Sequence, residues 1–307
     1  MSEQPGSQVE PPTSPPAGPT GWPIPTSSLV TSGAAPATAA DWGDNLVYAL
    51  GQLVYDVPTR SRRASLQQRM STPDPDDATS LLAHLDENPH ESTSVHWILA
   101  LDGTPLYYIE PTGAYAREAY EQLRGFLREQ VEEGVERISL AGVIAGTAPH
   151  RSGIELPVVS PALSGMYSWT TDALVRSLTE ATGDGSGKRD RGDEIQGAVG
   201  NFLERVYFEL RNLGRAPQER AINFAATNAL QAQQIFERTV LDGAELDAIE
   251  VEPSTIAPPG SNCWDVKLVF FYPDRVQQAA RRAYRFTVDV ADVVPATVGP
   301  MRSWSVR

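Results

Sequence analysis

The stretch Gly200–Asp242 constrains the fold of this chain more than any other. Phe202, Val206 and Leu210 recur every fourth residue, with Leu203 and Tyr207 beside them, which is the broad apolar stripe of an amphipathic helix. Leu213-Gly214 ends that helix, because glycine enters the left-handed region without a Cβ penalty. Pro217 then suits the first turn of a second helix, where its missing N–H costs nothing. Along this second helix Ile222, Ala226, Ala229, Phe236 and Val240 form the apolar side, and the alanines allow close approach. A tightly packed helix hairpin is expected here, with a sheet built beside it from the residues that follow.

The opposite side of the second helix is polar. It carries Asn223, Thr227, Gln231 and Gln234, with Arg220 and Asn228 adjacent, and spacings of three and four place most of them on one stripe. Primary amides donate and accept, so the stripe can pair with the backbone of an extended peptide. It can equally be a solvated face, or a set of side chains satisfied inside the joint between hairpin and sheet. Arg220, Asn223, Thr227 and Asn228 are therefore the first candidate binding residues, and Trp264 with Asp265 the second.

Around this hairpin the chain divides into a tail, 1–40, and two α+β halves, 41–161 and 162–307. The tail is rich in Pro, Ser, Thr, Gly and Ala and carries only Glu3 and Glu10 as charges, a composition that cannot offset chain entropy by burial. Asp44 is placed to cap a helix over Asn45–Tyr55. Asp56–Pro73 holds Arg60, Arg62, Arg63 and Arg69, the densest basic patch. It can meet an acidic leader peptide or protein, or pair with the neighbouring Asp74–Asp77 run. Asp76 or Asp77 caps a short helix that Asn88-Pro89 stops.

Ser94–Ala100 and Pro105–Glu110 flank Leu101-Asp102-Gly103-Thr104, the pattern of a hairpin closed by a type I′ turn. Pro105 places the start of its strand at an edge. A helix over Ala114–Glu133 uses Tyr115, Ala119, Leu123, Phe126, Leu127 and Gln130 as its inner face. Strands follow at Val135–Ala145 and Ile154–Val159. Met166–Trp169 leads into a helix over Asp172–Ala181, and 182–193 is a polar loop. Strands at Leu246–Glu252, Trp264–Tyr272 and Ala283–Val290 and an extended piece at Pro295–Val306 complete the chain. The fold class is α+β: antiparallel sheets packed with helices.

Charge and residue usage narrow the function. A net charge of −14 opposes sequence-independent nucleic-acid binding, which depends on Lys and Arg neutralising phosphates. Cys263 is the sole cysteine, so no intrachain disulfide forms; a reducing cytoplasm suits it. No apolar run reaches the roughly 18 residues that span a bilayer, and the N-terminus has no signal-peptide pattern. No catalytic residues, metal site or cofactor are assigned. His84, His90 and His96 are spaced by six, which does not bring two onto one helix face. None of the histidines lies in a protease-type setting, no G-x-S-x-G occurs, and 183–189 lacks the serine or threonine of a phosphate loop. Asp289 and Asp292 read as solvated acids.

The strings ERAINFAATNALQA, WDVKLVFFYPD, RFTVDVADVVPATVG and RSWSV resemble, in this order, the C-terminal domain of the cyanobactin maturation proteins PatA and PatG. MYSWTTDALV, YYIEPTGAY and DNLVYALGQLVYD extend the resemblance over about residues 42–307. In that family the domain sits behind a subtilisin-like protease, and no catalytic role is assigned to it. The resemblance implies the maturation of ribosomally made peptides as context. The expectation is a non-catalytic module that binds a precursor peptide or a peptide-modifying enzyme, without nucleic acid or membrane. An enzyme of unrecognised type acting on a peptide, and a homo-oligomeric scaffold, are the alternatives.

Overall fold

The computed structural model describes residues 45–170, 212–227, 245–272 and 281–306. The first helix of the hairpin, the second half of its partner including Asn228, the tail, the 172–181 helix and the 182–193 loop lie outside the described residues.

Five strands close into a barrel in the order β1-β2-β3-β5-β4. They are β1 (Leu46–Asp56), β2 (His96–Leu101), β3 (Thr104–Ile109), β4 (Arg137–Pro149) and β5 (Glu155–Trp169). Neighbours are antiparallel except β3 and β5, which run parallel through Tyr108↔Val158 and Ile109↔Val159. Helices α1 (Arg60–Arg69) and α2 (Ala78–Glu87) and the 3-10 turn Pro89–Ser94 lie between β1 and β2, and α3 (Ala116–Glu132) lies between β3 and β4. This strand order, with a helix joining the third and fourth strands, is the connectivity of an OB-type barrel.

The barrel interior follows from strand alternation. Val47, Ala49 and Leu53 of β1 meet Trp97, Leu99, Tyr107, Ile138, Leu140 and Met166 in one buried cluster, and Ala119, Leu123, Phe126 and Leu127 of α3 join it. The predicted inner face of α3 holds at these four positions, whereas Tyr115 precedes the helix and is exposed. Asp102 and Gly103 both have positive φ, as a type I′ turn requires. A bulge between Leu99 and Ala100 accommodates Pro105.

One expectation is corrected. Asn45–Tyr55 is not a helix capped by Asp44 but forms strand β1, whose first six residues are buried on both faces; a continuous apolar run cannot be assigned by periodicity alone. Met166–Trp169 completes β5, pairing with Arg137–Leu140.

The outer face of β1 is buried as well. Tyr48 and Leu50, with Ala141 of β4, pack against Ala221, Ile222, Ala225 and Ala226 of α4 (Pro217–Thr227). The other side of that cluster is a four-stranded antiparallel sheet, β6 (Glu245–Pro253), β7 (Cys263–Phe271), β8 (Arg281–Asp289) and β9 (Ala296–Val306), paired in sequence order. Val266, Leu268, Phe270, Tyr284, Phe286 and Val288 point at α4. The small side chains of α4 let it lie between barrel and sheet and seal both. The protein is α+β, with two sheets of predominantly antiparallel strands packed with helices.

Candidate functional site

The polar stripe of α4 is turned inward. Arg220 is fully buried, and its guanidinium donates to the carbonyls of Val290 (2.8 Å), Arg215 (3.0 Å) and Leu46 (3.4 Å). Asn223 donates from Nδ2 to Tyr48 O (2.8 Å) and to Asn212 Oδ1 (3.2 Å). Thr227 Oγ1 meets the Tyr48 hydroxyl at 2.8 Å. The extended backbone that this stripe meets is the protein's own β1. The corner before α4 is built to the same end: Glu219 accepts the N–H groups of Arg215 and Ala216, half of a capping box.

Trp264 and Asp265 occupy opposite faces of β7. Trp264 packs towards the α4 side and donates to Asn262 Oδ1 (2.8 Å), while Asp265 accepts from Thr287 and pairs with Arg285 on the other face. Asp265, Arg220 and a histidine, the convergence an enzyme reading needs, are not brought together. Asp289 accepts the N–H groups of Ala291 and, from just before the neighbouring strand, of Asn262, and Asp292 accepts that of Val293. Among the described residues no three His, Cys, Asp or Glu side chains gather as a metal-binding set, and no helix is long and apolar enough to cross a membrane.

The described residues do form a recess at the basic patch. A cavity of about 280 Å³ opens beside α1, lined by Val57, Ser61, Arg62, Ser65, Leu66, Arg69 and Ser94. Its buried floor is Val57 and Leu66. Three serines and two arginines form its walls, so the chemistry it offers is donation to an anion on a short apolar stem. The volume falls just below the range of small-molecule pockets, about 300–1,000 Å³, which suits one peptide side chain.

The arginines divide into those the fold uses and those it does not. Arg63 pairs with Asp76 and approaches Asp56 at 4.0 Å. Arg69 pairs with Glu91 at 2.6 Å, and the same buried carboxylate holds His84 Nε2 at 3.0 Å, which fixes where Arg69 points. Among the described residues the Arg62 guanidinium donates only to Ser94 Oγ (2.9 Å), and neither Arg60 nor Arg62 has a carboxylate partner there. Both sit in the first turn of α1, which contains no acidic residue. Positive charge there opposes the helix dipole, so local stability does not account for it.

Asp56, at the end of β1, joins this rim to the β4–β5 turn: Arg151 reaches it at 3.2 Å. Next to it His96 and Tyr108 pack edge to face, ring centroids 4.8 Å apart, and His150 lies tilted against Tyr108 at 6.1 Å. Burial holds the His96 pKa below the usual histidine value; Asp56 and Glu110 oppose that shift, and Arg62 and His150 reinforce it. Because the folded protein prefers neutral His96, its contribution to stability is present above pH ~6.5 and is lost as pH falls through the lower folded value. An NMR titration should place the His96 midpoint below 6.5; a midpoint at or above it contradicts this packing.

The comparisons with known proteins define the class first. A family model described as the PatG C-terminal matches residues 189–304, and one described as the PatG Domain matches residues 46–151. A solved structure titled "PatG Domain of Unknown Function" superposes with a TM-score of 0.76 at 37% identity, covering 86% of this chain and 100% of its own. The chain therefore belongs to the PatG C-terminal family, with the fold of its domain of unknown function. No curated protein matches it.

Proposed function

We propose that this protein is a non-catalytic accessory module of cyanobactin-like peptide maturation, and that it binds an acidic segment of a precursor peptide at the α1 rim. The observation that carries the reading is the recess beside α1, where Arg62 lines the wall without a carboxylate partner among the described residues. Three further points support it. The recess belongs to the β1–β2 connection, one of the loops with which OB-type barrels meet extended ligands; this is a likeness of fold alone. The half-buried rings of His96 and His150, each packed on the buried Tyr108, give a peptide something to lie against. Membership of the PatG C-terminal family, with the resemblance to cyanobactin maturation proteins, favours a peptide as the substrate class.

Fluorescence anisotropy with a short acetylated and amidated Glu-Ala peptide tests it. The wild type should bind, and Arg62→Glu should weaken binding by roughly tenfold or more, about 1.4 kcal/mol. Equal affinity in the two proteins, or equal affinity for a Gln-Ala peptide, contradicts the reading.

A further inference from the structure

The second sheet has an outer face that α4 does not cover, and its cross-strand register creates an unusual row. Glu250, Lys267, Arg285 and Arg302 stand side by side across β6, β7, β8 and β9. Lys267 pairs with Glu250 at 2.6 Å. Arg285 pairs with Asp265 at 3.2 Å, and Asp265, itself 3% exposed, also accepts the Thr287 hydroxyl at 2.6 Å. The first two cations of the row are thus matched. Arg302 faces Arg285 directly, a like-charge opposition that weakens a ladder, and it has no carboxylate partner among the described residues.

The backbone opens at this point. The register passes from Arg285↔Arg302 to Thr287↔Val298, so β9 bulges over Gly299–Met301, with Gly299 at φ +72°. The bulge leaves a cavity of about 110 Å³ lined by Arg285, Arg302, Thr287, Val298, Pro300 and Ile256. Two large apolar side chains stand exposed beside the arginines: Ile256 at 57% and Trp304 at 39%. The Arg285 guanidinium lies 5.9 Å from the Trp304 ring centroid, within cation–π range. Exposed tryptophan and arginine around a small recess are the residue types that anchor protein interfaces.

We infer that the Arg285–Arg302 recess is a second binding site, separate from the α1 rim, and that it takes one carboxylate of an extended peptide, carried on a short apolar stem. The size decides the class. One carboxylate matches the single excess positive charge, and 110 Å³ leaves room for little beyond a short apolar stem, which Val298, Pro300 and Ile256 would contact. Asp265 acts here as a positioning residue: it fixes Arg285 so that its guanidinium faces Arg302 and Trp304. The carboxylate can be a chain terminus or an acidic side chain, and the test separates them.

The experiment is an NMR titration of the full chain with three probes: Ala-Ala-Val as free acid, its amide, and acetyl-Ala-Glu-Ala-amide. The Trp304 indole and the Val298 and Met301 amides should shift with a carboxylate probe and not with the amide. A shift with Ala-Ala-Val acid assigns the carboxylate to a chain terminus, and one with the capped Glu peptide assigns it to a side chain. Arg302→Ala, at an exposed position, should keep the wild-type melting temperature and weaken the effective probe by about tenfold or more. Unmoved signals with both carboxylates, equal shifts with the amide, or full binding by Arg302→Ala would overturn the site. None of these outcomes depends on Arg62, so failure here and failure of the α1 reading are distinguishable.

Discussion

Arg220→Ala is expected to cost about 3–5 kcal/mol of folding stability, the scale for removing one partner from a buried, charge-assisted contact. Arg220 joins the first strand of the barrel to the end of the second sheet, donating to Leu46 O and Val290 O from a fully buried position. Alanine leaves those carbonyls and Arg215 O without that donor in a dry joint and removes the side-chain volume as well. Because domains of this kind have net stabilities of about 5–15 kcal/mol, a large share of the total goes with one side chain. Arg220→Met, which restores volume but no donor, should recover only the packing part. Urea denaturation measures both. A loss under about 1 kcal/mol for the alanine variant would show that the carbonyls find other donors.

Gly214→Ala should be nearly as damaging, by roughly 2–4 kcal/mol. Gly214 has φ +74°, where an L side chain is strained. A Cβ added there would stand 2.1 Å from Tyr48 O and 2.9 Å from Ala49 Cα, backbone atoms that cannot swing aside. The same segment is hydrogen-bonded to β1, Tyr48 N–H donating to Gly214 O at 2.9 Å. The variant must break that bond and push the corner off the barrel, carrying Asn212 and Asn223 with it. Thermal unfolding reads the loss, and hydrogen exchange at the Tyr48 amide should accelerate. Wild-type protection at Tyr48 would contradict the account of this corner.

Local chemistry was legible in the sequence; long-range pairing was not. Asp102-Gly103 announced its turn because two positive φ angles suit few other dipeptides, and the Asp76-Asp77 pair announced the start of α2, where Asp77 is the one that accepts the Ser80 N–H. The polar stripe Arg220–Asn223–Thr227 was visible at helical spacing. Its partner was not, because Tyr48 lies 175 residues from Asn223 in the chain. β1 reads as a helix in the sequence because its first six residues are buried on both sides, which removes the alternation that marks a strand. Trp264 and Asp265 looked like one patch as neighbours, but a strand sends neighbours to opposite faces. Barrel closure rests on two parallel pairs at Tyr108 and Ile109, too short a ladder to leave a sequence signal. Arg285 and Arg302 required the register and the β9 bulge to be known. The basic run at Arg60–Arg69 was visible, but only the structure separates Arg63 and Arg69, tied to Asp76 and Glu91, from Arg60 and Arg62.

The central claim is that α4 holds the protein together while α1 meets the peptide. Measuring melting temperature and Glu-Ala peptide affinity side by side for Arg62→Glu and Arg220→Met tests it most directly. The account predicts that Arg62→Glu melts with the wild type and loses roughly tenfold or more in affinity, whereas Arg220→Met melts lower and, at temperatures where it remains folded, binds as the wild type does. The reverse pattern, with binding lost from the folded Arg220 variant and retained by Arg62→Glu, would contradict it and return the peptide site to the α4 stripe.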